Sequence, residues 1–347
     1  IPDIRSFSLR ATRRHRVARR LRTRRLCAYT YAMRLPKNIP VWAFECAIAL
    51  SALIWGASFV VVKGALDAVT PGWLVTIRFA VAGLVLSVIF WRRLRNYLDV
   101  SHVLAGVMIG VPAGLAYLIQ NVGLVGTTPG RNAFLTTTYC VMVPFFNWVL
   151  LRRRPGANNV AAALMALVGV GLLSLGDSGA DLSSSLSSGD ALTLVSACFF
   201  ALNIVAVGRY AAAHDYAVIT IVMFAVSSLI CAVYALVAEP LPDLAAMPAD
   251  FWWQMSYVAL LSTALATLLQ NLAQRHVEPS KAALLFSLES VFAVAFSVLL
   301  YGERLTLRLV AGFALIFFAV LVSELVVSRG GARAGRQEGD RDARVGR

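Results

Sequence analysis

The chain has 347 residues, of which 59% are hydrophobic and 14% charged, and its formal net charge is +14. Soluble globular domains carry roughly 25% charged residues, so the composition excludes an ordinary soluble fold and points to a chain built for lipid. The positive excess is local: residues 1–32 hold ten Arg and one Asp, which removes it as a nucleic-acid signature of the remainder.

Residues 1–41 read as an Arg-rich cytoplasmic extension, too basic and too poor in apolar residues for a signal peptide. Such an arm could bind anionic lipid or RNA. Met33 followed by RLPKNIP, however, reads as the natural lead-in to the first span. Residues 1–32 are therefore expected to be an upstream extension from a misplaced start, without function, and no nucleic-acid partner is expected.

Ten apolar runs follow, at 42–65, 71–91, 102–124, 132–151, 157–175, 189–208, 216–238, 251–273, 280–301 and 306–327. Each fits the about 17–25 residues that cross a bilayer as a helix. Water-free lipid favours the helix because it satisfies its backbone groups within the segment. The expected fold class is all-α integral membrane with ten transmembrane helices, and residues 328–347 form a cytoplasmic tail.

Basic residues alternate between loops. Arg34 and Lys37 precede the first span, Arg92, Arg93 and Arg95 follow the second, and Arg152, Arg153 and Arg154 follow the fourth. Arg209, Arg275, Lys281, Arg329, Arg333 and Arg336 continue the pattern, with Arg131 and Arg304 as the minority on the other side. The positive-inside rule then puts both termini in the cytoplasm of a multi-pass protein of the cell (plasma or inner) membrane.

The two halves resemble each other. TLLQNLAQRHVEPSKAAL (267–284) repeats the Gln-Asn pair and the proline of YLIQNVGLVGTTPGRNAF (117–134) at an offset of 150. SALIWGASF (51–59) overlays SACFFALNI (196–204) at 145, Phe79 overlays Phe224 at 145, and VLLRRRPGA (149–157) overlays VLLYGERLT (298–306) at 149. The chain is thus expected to hold two five-helix repeats, 42–178 and 188–327. An odd number of spans per unit inverts one copy relative to the other, the plan of many secondary transporters.

Ionisable groups inside spans are costly, about 2.5–3.5 kcal/mol at the bilayer centre on insertion scales. Glu289, within SLESVFAVAF, reads as a ligand for a substrate amine, a proton-coupling carboxylate, or a carboxylate held for packing. Arg78 reads as a partner of Glu289 or of a substrate carboxylate, or as a structural brace. Lys63 and Asp67 read as interfacial anchors. Gln120, Asn121, Gln270 and Asn271 are expected to line a cavity or gate, one pair toward each membrane face, and Asn203 to glue helices. Trp55, Tyr117, Tyr139 and Phe286 are candidate cavity walls. The glycines of G106xxxG110xxxG114 read as close packing.

The five Cys have no metal or pairing pattern, and the four His lie outside or at the ends of spans. With neither GxSxG nor P-loop present, no enzyme, cofactor or metal site is expected. A lipid- or partner-binding scaffold is the alternative to transport.

WGASFVVVKGAL, TIRFAVAG, TTPGRNAFLTTTYCVMVPFF and SLESVFAVAFSVLLYGERLT together resemble the EamA type of the drug/metabolite transporter superfamily, over about residues 42–327. The first half departs from the pattern, with LLRRRPG where a GER-like sequence is common. The resemblance implies a central cavity between inverted repeats and alternating access. It also implies movement of a small molecule such as an amino acid, amine or drug-like compound, with export the expected direction and proton coupling a candidate. Arg78, Glu289, Trp55, Tyr117, Gln120, Asn121, Tyr139, Asn203, Gln270 and Asn271 are the expected substrate-binding residues of a monomer or homodimer in the lipid bilayer.

Overall fold

The computed structural model describes residues 39–152, 155–174, 187–302 and the helical positions 307, 310–312, 314, 315, 318, 319 and 322. The Arg-rich arm, GERLT beyond Gly302, most of the tenth expected span and the C-terminal tail lie outside the described residues. Contacts divide the chain after Ala43, and the site below lies wholly in the unit that begins at Phe44.

Described helices in chain order are α1 (Val41–Ala65), α2 (Pro71–Ile89), α3 (Trp91–Tyr97), α4 (Val100–Val125), α5 (Pro129–Thr136), α6 (Tyr139–Leu151) and α7 (Ala157–Ser174). After them come α8 (Ser188–Tyr210), α9 (Tyr216–Ala238), α10 (Ala249–Ala273), α11 (Pro279–Phe286) and α12 (Leu288–Tyr301). With α5–α6 and α11–α12 each counted as one span, eight are long and apolar enough to cross a membrane. They correspond to the expected spans one to four and six to nine. At the place of the expected fifth span stands α7, whose apolar stretch Ala157–Gly169 is shorter than those eight.

Helix starts follow local chemistry. Pro71, Pro129 and Pro279 each open a helix at the first turn, where the missing N–H costs nothing. Asp99 caps α4 through the His102 amide, Thr128 caps α5, and Ser187 with Asp190 forms a capping box on α8. These caps explain why α5 begins at Pro129, three residues before the apolar run.

The core joins α2, α4 and α9 around Phe79, Ile109, Met223 and Phe224. The glycine stripe of α4 lets α9 approach closely. A Cβ at Gly110 would stand 2.9 Å from the Met223 carbonyl, and one at Gly114 3.0 Å from Ser227 Cα. Ser227 Oγ donates to the Gly110 carbonyl at 2.9 Å across this seam. The Gly-x3-Gly run is helix-packing machinery, as its spacing suggests.

Two spans tighten in mid-course. Thr137 and Thr138 separate α5 from α6, and Ser287 separates α11 from α12. Backbone angles there approach 3₁₀ values (ψ −7, −16 and −17), and some amides bond three residues back, as in Thr138 to Leu135 and Ser290 to Ser287. The hydroxyls of Thr137 and Ser287 bond the carbonyls of Phe134 and Leu284, again three residues back. This local competition for carbonyls favours the tight turn.

Register between the halves differs from the expected 149 at one place. α6 and α12 end in left-handed caps at Arg152 (φ 55) and Gly302 (φ 74), which stand 150 apart. The VLL triplets matched because apolar triplets are interchangeable; the backbone caps set the register. Arg152 adopts the conformation that glycine takes without steric cost in the second half.

Candidate functional site

The Thr137–Thr138 and Ser287 turns bring the starts of α6 and α12 together in the interior. There the Tyr139 hydroxyl donates to Glu289 Oε1 at 3.2 Å. Glu289 is 5% exposed and lies in the first turn of α12, where the helix dipole favours negative charge.

Arg78, 2% exposed, enters from α2. Its partners come from a π-helical stretch of α10, Tyr257–Leu265. Thr263 Oγ1 donates five residues back to the Val258 carbonyl at 2.7 Å and accepts from Arg78 Nε at 2.8 Å. Ser262 Oγ accepts from Arg78 Nη2 at 3.2 Å, and the Ser262 carbonyl accepts from Trp55 Nε1 at 2.7 Å. The guanidinium also lies 4.8 Å from the Tyr117 ring centroid, a cation–π distance. Wide π turns expose groups that a regular helix would bond internally, and here they hold an arginine and a tryptophan.

Ion pairs between described residues join Arg93 to Asp215, His102 to Asp99, Arg131 to Asp190 and Lys281 to Glu45. Arg78 and Glu289 belong to none of them. One cavity therefore holds a buried guanidinium bound by neutral hydroxyls and a buried carboxyl group bound by a phenol. Burying unpaired charges is expensive, so an arrangement that leaves both open to a shared space is suited to a ligand carrying complementary charges.

Nine of the ten expected residues line this cavity: Trp55, Arg78, Tyr117, Gln120, Asn121, Tyr139, Asn203, Gln270 and Glu289. Asn271 does not line it. Its Nδ2 donates to Thr220 Oγ1 at 2.7 Å, so it joins α10 to α9. The two Gln-Asn pairs also fail to divide between separate mouths, because Gln120 and Gln270 line the same space. Gln120 donates to Thr136 Oγ1 at 2.9 Å and Gln270 to Gln274 Oε1 at 3.1 Å. Asn121 Oδ1 is buried with no protein partner, which leaves an acceptor beside the cavity. Asn203 combines two roles, donating to the Ile109 carbonyl at 3.0 Å while lining the cavity.

Lys63 is more than an interfacial anchor. Its Nζ donates to the carbonyls of Leu124, Val125 and Thr127 at 2.8, 3.0 and 3.0 Å, which caps the C-terminus of α4. Sequence reading missed Ser58, Phe59, Thr136, Phe200 and Met223 as lining residues, and Ser262 and Thr263 as supports of Arg78. The repeat offsets carried the signal for the first group. At 145, Trp55 maps to Phe200, Ser58 to Asn203, Phe59 to Ile204 and Arg78 to Met223. At 150, Gln120 maps to Gln270, Thr136 to Phe286 and Tyr139 to Glu289. Both members of all seven pairs line the cavity. Tyr139 and Glu289 bond each other, and the Phe79 and Phe224 rings meet at 5.5 Å.

Membrane-length helices around an interior cavity lined by an arginine and a glutamate that form no ion pair with each other define a multi-pass membrane protein with polar groups in its interior. A sequence model of the EamA-like transporter family matches residues 42–175 and again residues 187–325. The chain belongs to the EamA-like transporter family and is a membrane transporter. It is similar to an uncharacterized transporter of Archaeoglobus fulgidus, 32% identical over 283 residues that cover 82% of this chain and 86% of the relative. A second uncharacterized transporter of that organism is 24% identical over 267 residues, covering 74% and 89%. A solved crystal structure superposes with a TM-score of 0.65 at 18% identity, over 81% of this chain and 96% of that one. That likeness concerns fold alone.

Proposed function

We propose that the protein is a secondary active transporter that moves a small molecule bearing both an amine and an anionic group, by alternating access. The observation that carries this reading is the isolated pair Arg78 and Glu289 facing one cavity. The guanidinium, steadied by Thr263 and Ser262, offers a planar fork to a carboxylate. Glu289 and the free acceptor of Asn121 suit an amine. Trp55, Tyr117, Phe200 and Phe286 surround the space with aromatic surface, which suits a partly apolar substrate. Export across the cell membrane, with both termini cytoplasmic, is the direction we adopt.

The architecture we assign is ten helices in two inverted five-helix repeats. Support comes from the two successive family matches, from the seven offset pairs around one cavity, and from the contacts between equivalents at Tyr139–Glu289 and Phe79–Phe224. Two residues related by a two-fold axis touch each other where that axis passes between them. Rocking of one half against the other about this line would expose the cavity to each side in turn.

Glu289 also suits proton coupling, because a proton and a substrate amine compete for the same carboxylate. Wild-type protein in proteoliposomes should respond to an imposed pH gradient, and Glu289→Gln should transport, if at all, without that response. A Glu289→Gln variant with the full wild-type response would rule out the assignment. Substrate is sought by thermal shift against amino acids, amines, purines and cationic drugs. A true ligand stabilises by mass action, and that stabilisation should vanish in Arg78→Ala.

A further inference from the structure

Two ion pairs outside the cavity obey the same registers as its lining. Arg131 Nη2 stands 3.0 Å from Asp190 Oδ2, and Lys281 Nζ stands 2.7 Å from Glu45 Oε1. Arg131 maps to Lys281 at 150, and Glu45 maps to Asp190 at 145. Both partners of one pair therefore map at once onto both partners of the other, with charge signs kept. Each basic residue is two positions beyond the proline that opens α5 or α11, and each acidic residue is in the early turns of α8 or α1. Each pair thus joins a half-helix of one repeat to the leading helix of the other.

The pairs lie toward opposite ends of α1. Asp190 Oδ1 accepts from Thr127 Oγ1 at 2.9 Å, and the Thr127 carbonyl accepts from Lys63, near the C-terminus of α1. Glu45 is near the N-terminus of the same helix. The intervening 18 residues span about 27 Å at 1.5 Å each, most of the hydrocarbon thickness. α5 and α11 lead directly into the turns at Thr137 and Ser287, so each pair holds the segment that carries Tyr139 or Glu289 toward the cavity.

We infer that Arg131–Asp190 and Lys281–Glu45 are paired latches, one closing each end of the transport pathway, and that opening either end breaks its own pair while the other remains made. This rests on the inverted-repeat reading above. The latches differ in strength: Lys63 fastens the chain beside Asp190, whereas its counterpart at 145 is Gly208, which has no side chain to do so and packs against Pro279. The Arg131–Asp190 end is consequently the firmer one.

The test reads access to the cavity. Ser58→Cys is a near-isosteric reporter on the cavity wall, labelled by a membrane-impermeant maleimide from each face in right-side-out and inside-out vesicles. Labelling is counted above that of the same chain with Ser58. Arg131→Gln should raise labelling from the Arg131 face by up to about fivefold, the factor one partly buried ion pair supports, and lower it from the other. Lys281→Gln should give the mirror result, and Arg131→Lys and Lys281→Arg should keep the original pattern. Equal shifts from both faces, no shift in either variant, or failure of the conservative variants to restore the pattern would overturn the latches. Labelling from neither face in any variant would overturn the transport pathway itself, which separates the two failures.

Discussion

Thr263 shows how one hydroxyl can organise a functional charge. It accepts from Arg78 Nε and donates to the Val258 carbonyl five residues back in the π-helical stretch. Thr263→Val keeps the shape and removes both bonds. Leaving a buried donor without its acceptor costs about 1–3 kcal/mol, and more when the donor is charged. The expected outcome is a lower melting temperature in detergent together with weaker substrate stabilisation, read in one thermal-shift series. Unchanged melting with an unchanged ligand shift would mean that Thr263 does not position the guanidinium. Arg78, Glu289 and Trp55 were legible from sequence because a polar or very large residue inside an apolar run must find a partner or a space. Ser262 and Thr263 were not legible, because small hydroxyls in a helix ordinarily bond their own backbone.

At the scale of helices, close approach decides where the site residues end up. Gly56 of α1 packs against α12: a Cβ there would stand 2.5 Å from Phe292 Cβ, 2.8 Å from the Glu289 carbonyl and 2.9 Å from the Ala293 amide. Two of these neighbours are backbone, so a methyl group forces α12 to shift. Gly56→Ala should destabilise the protein by about 1–3 kcal/mol, the usual cost of overpacking, and should reduce transport by displacing Glu289. Denaturation in detergent beside a transport assay checks both, and a stable, fully active variant would show the contact to be yielding. Proline and capping signals made most helix starts readable. The mid-span turns were not, since Thr137 and Ser287 sit in sequences that a continuous helix accommodates equally well.

At the scale of the whole molecule, large apolar side chains also stand exposed on the outer faces of the described helices. Leu84, Leu229, Val237 and Leu299 are exposed to the extent of 68%, 65%, 85% and 76%, which in water would be a large liability and in lipid is the natural surface. Leu229 lies near the middle of α9 and Val237 near its end. Leu229→Arg should reduce membrane insertion by about 2.5–3.5 kcal/mol, and Val237→Arg by much less because an end position lets the side chain reach the interface. A microsomal insertion assay compares the two, and equal penalties would contradict this placement of α9 in the membrane.

Sequence by itself determined the class of fold, because ten long apolar runs have one cheap conformation in lipid. It also pointed to a duplication, because polar pairs and prolines recur at fixed offsets. It singled out the buried charges, since each costs too much to be incidental. Tertiary structure decided which of these residues meet. Asn271 turned to α9, while its neighbour Gln270 converged with Gln120 and Asn121 on one space. Arg78 and Glu289 came to share that space without pairing. These outcomes depend on helix rotation, on the π turn of α10 and on contacts between residues 51 to 185 positions apart, none of which local pattern or propensity can specify.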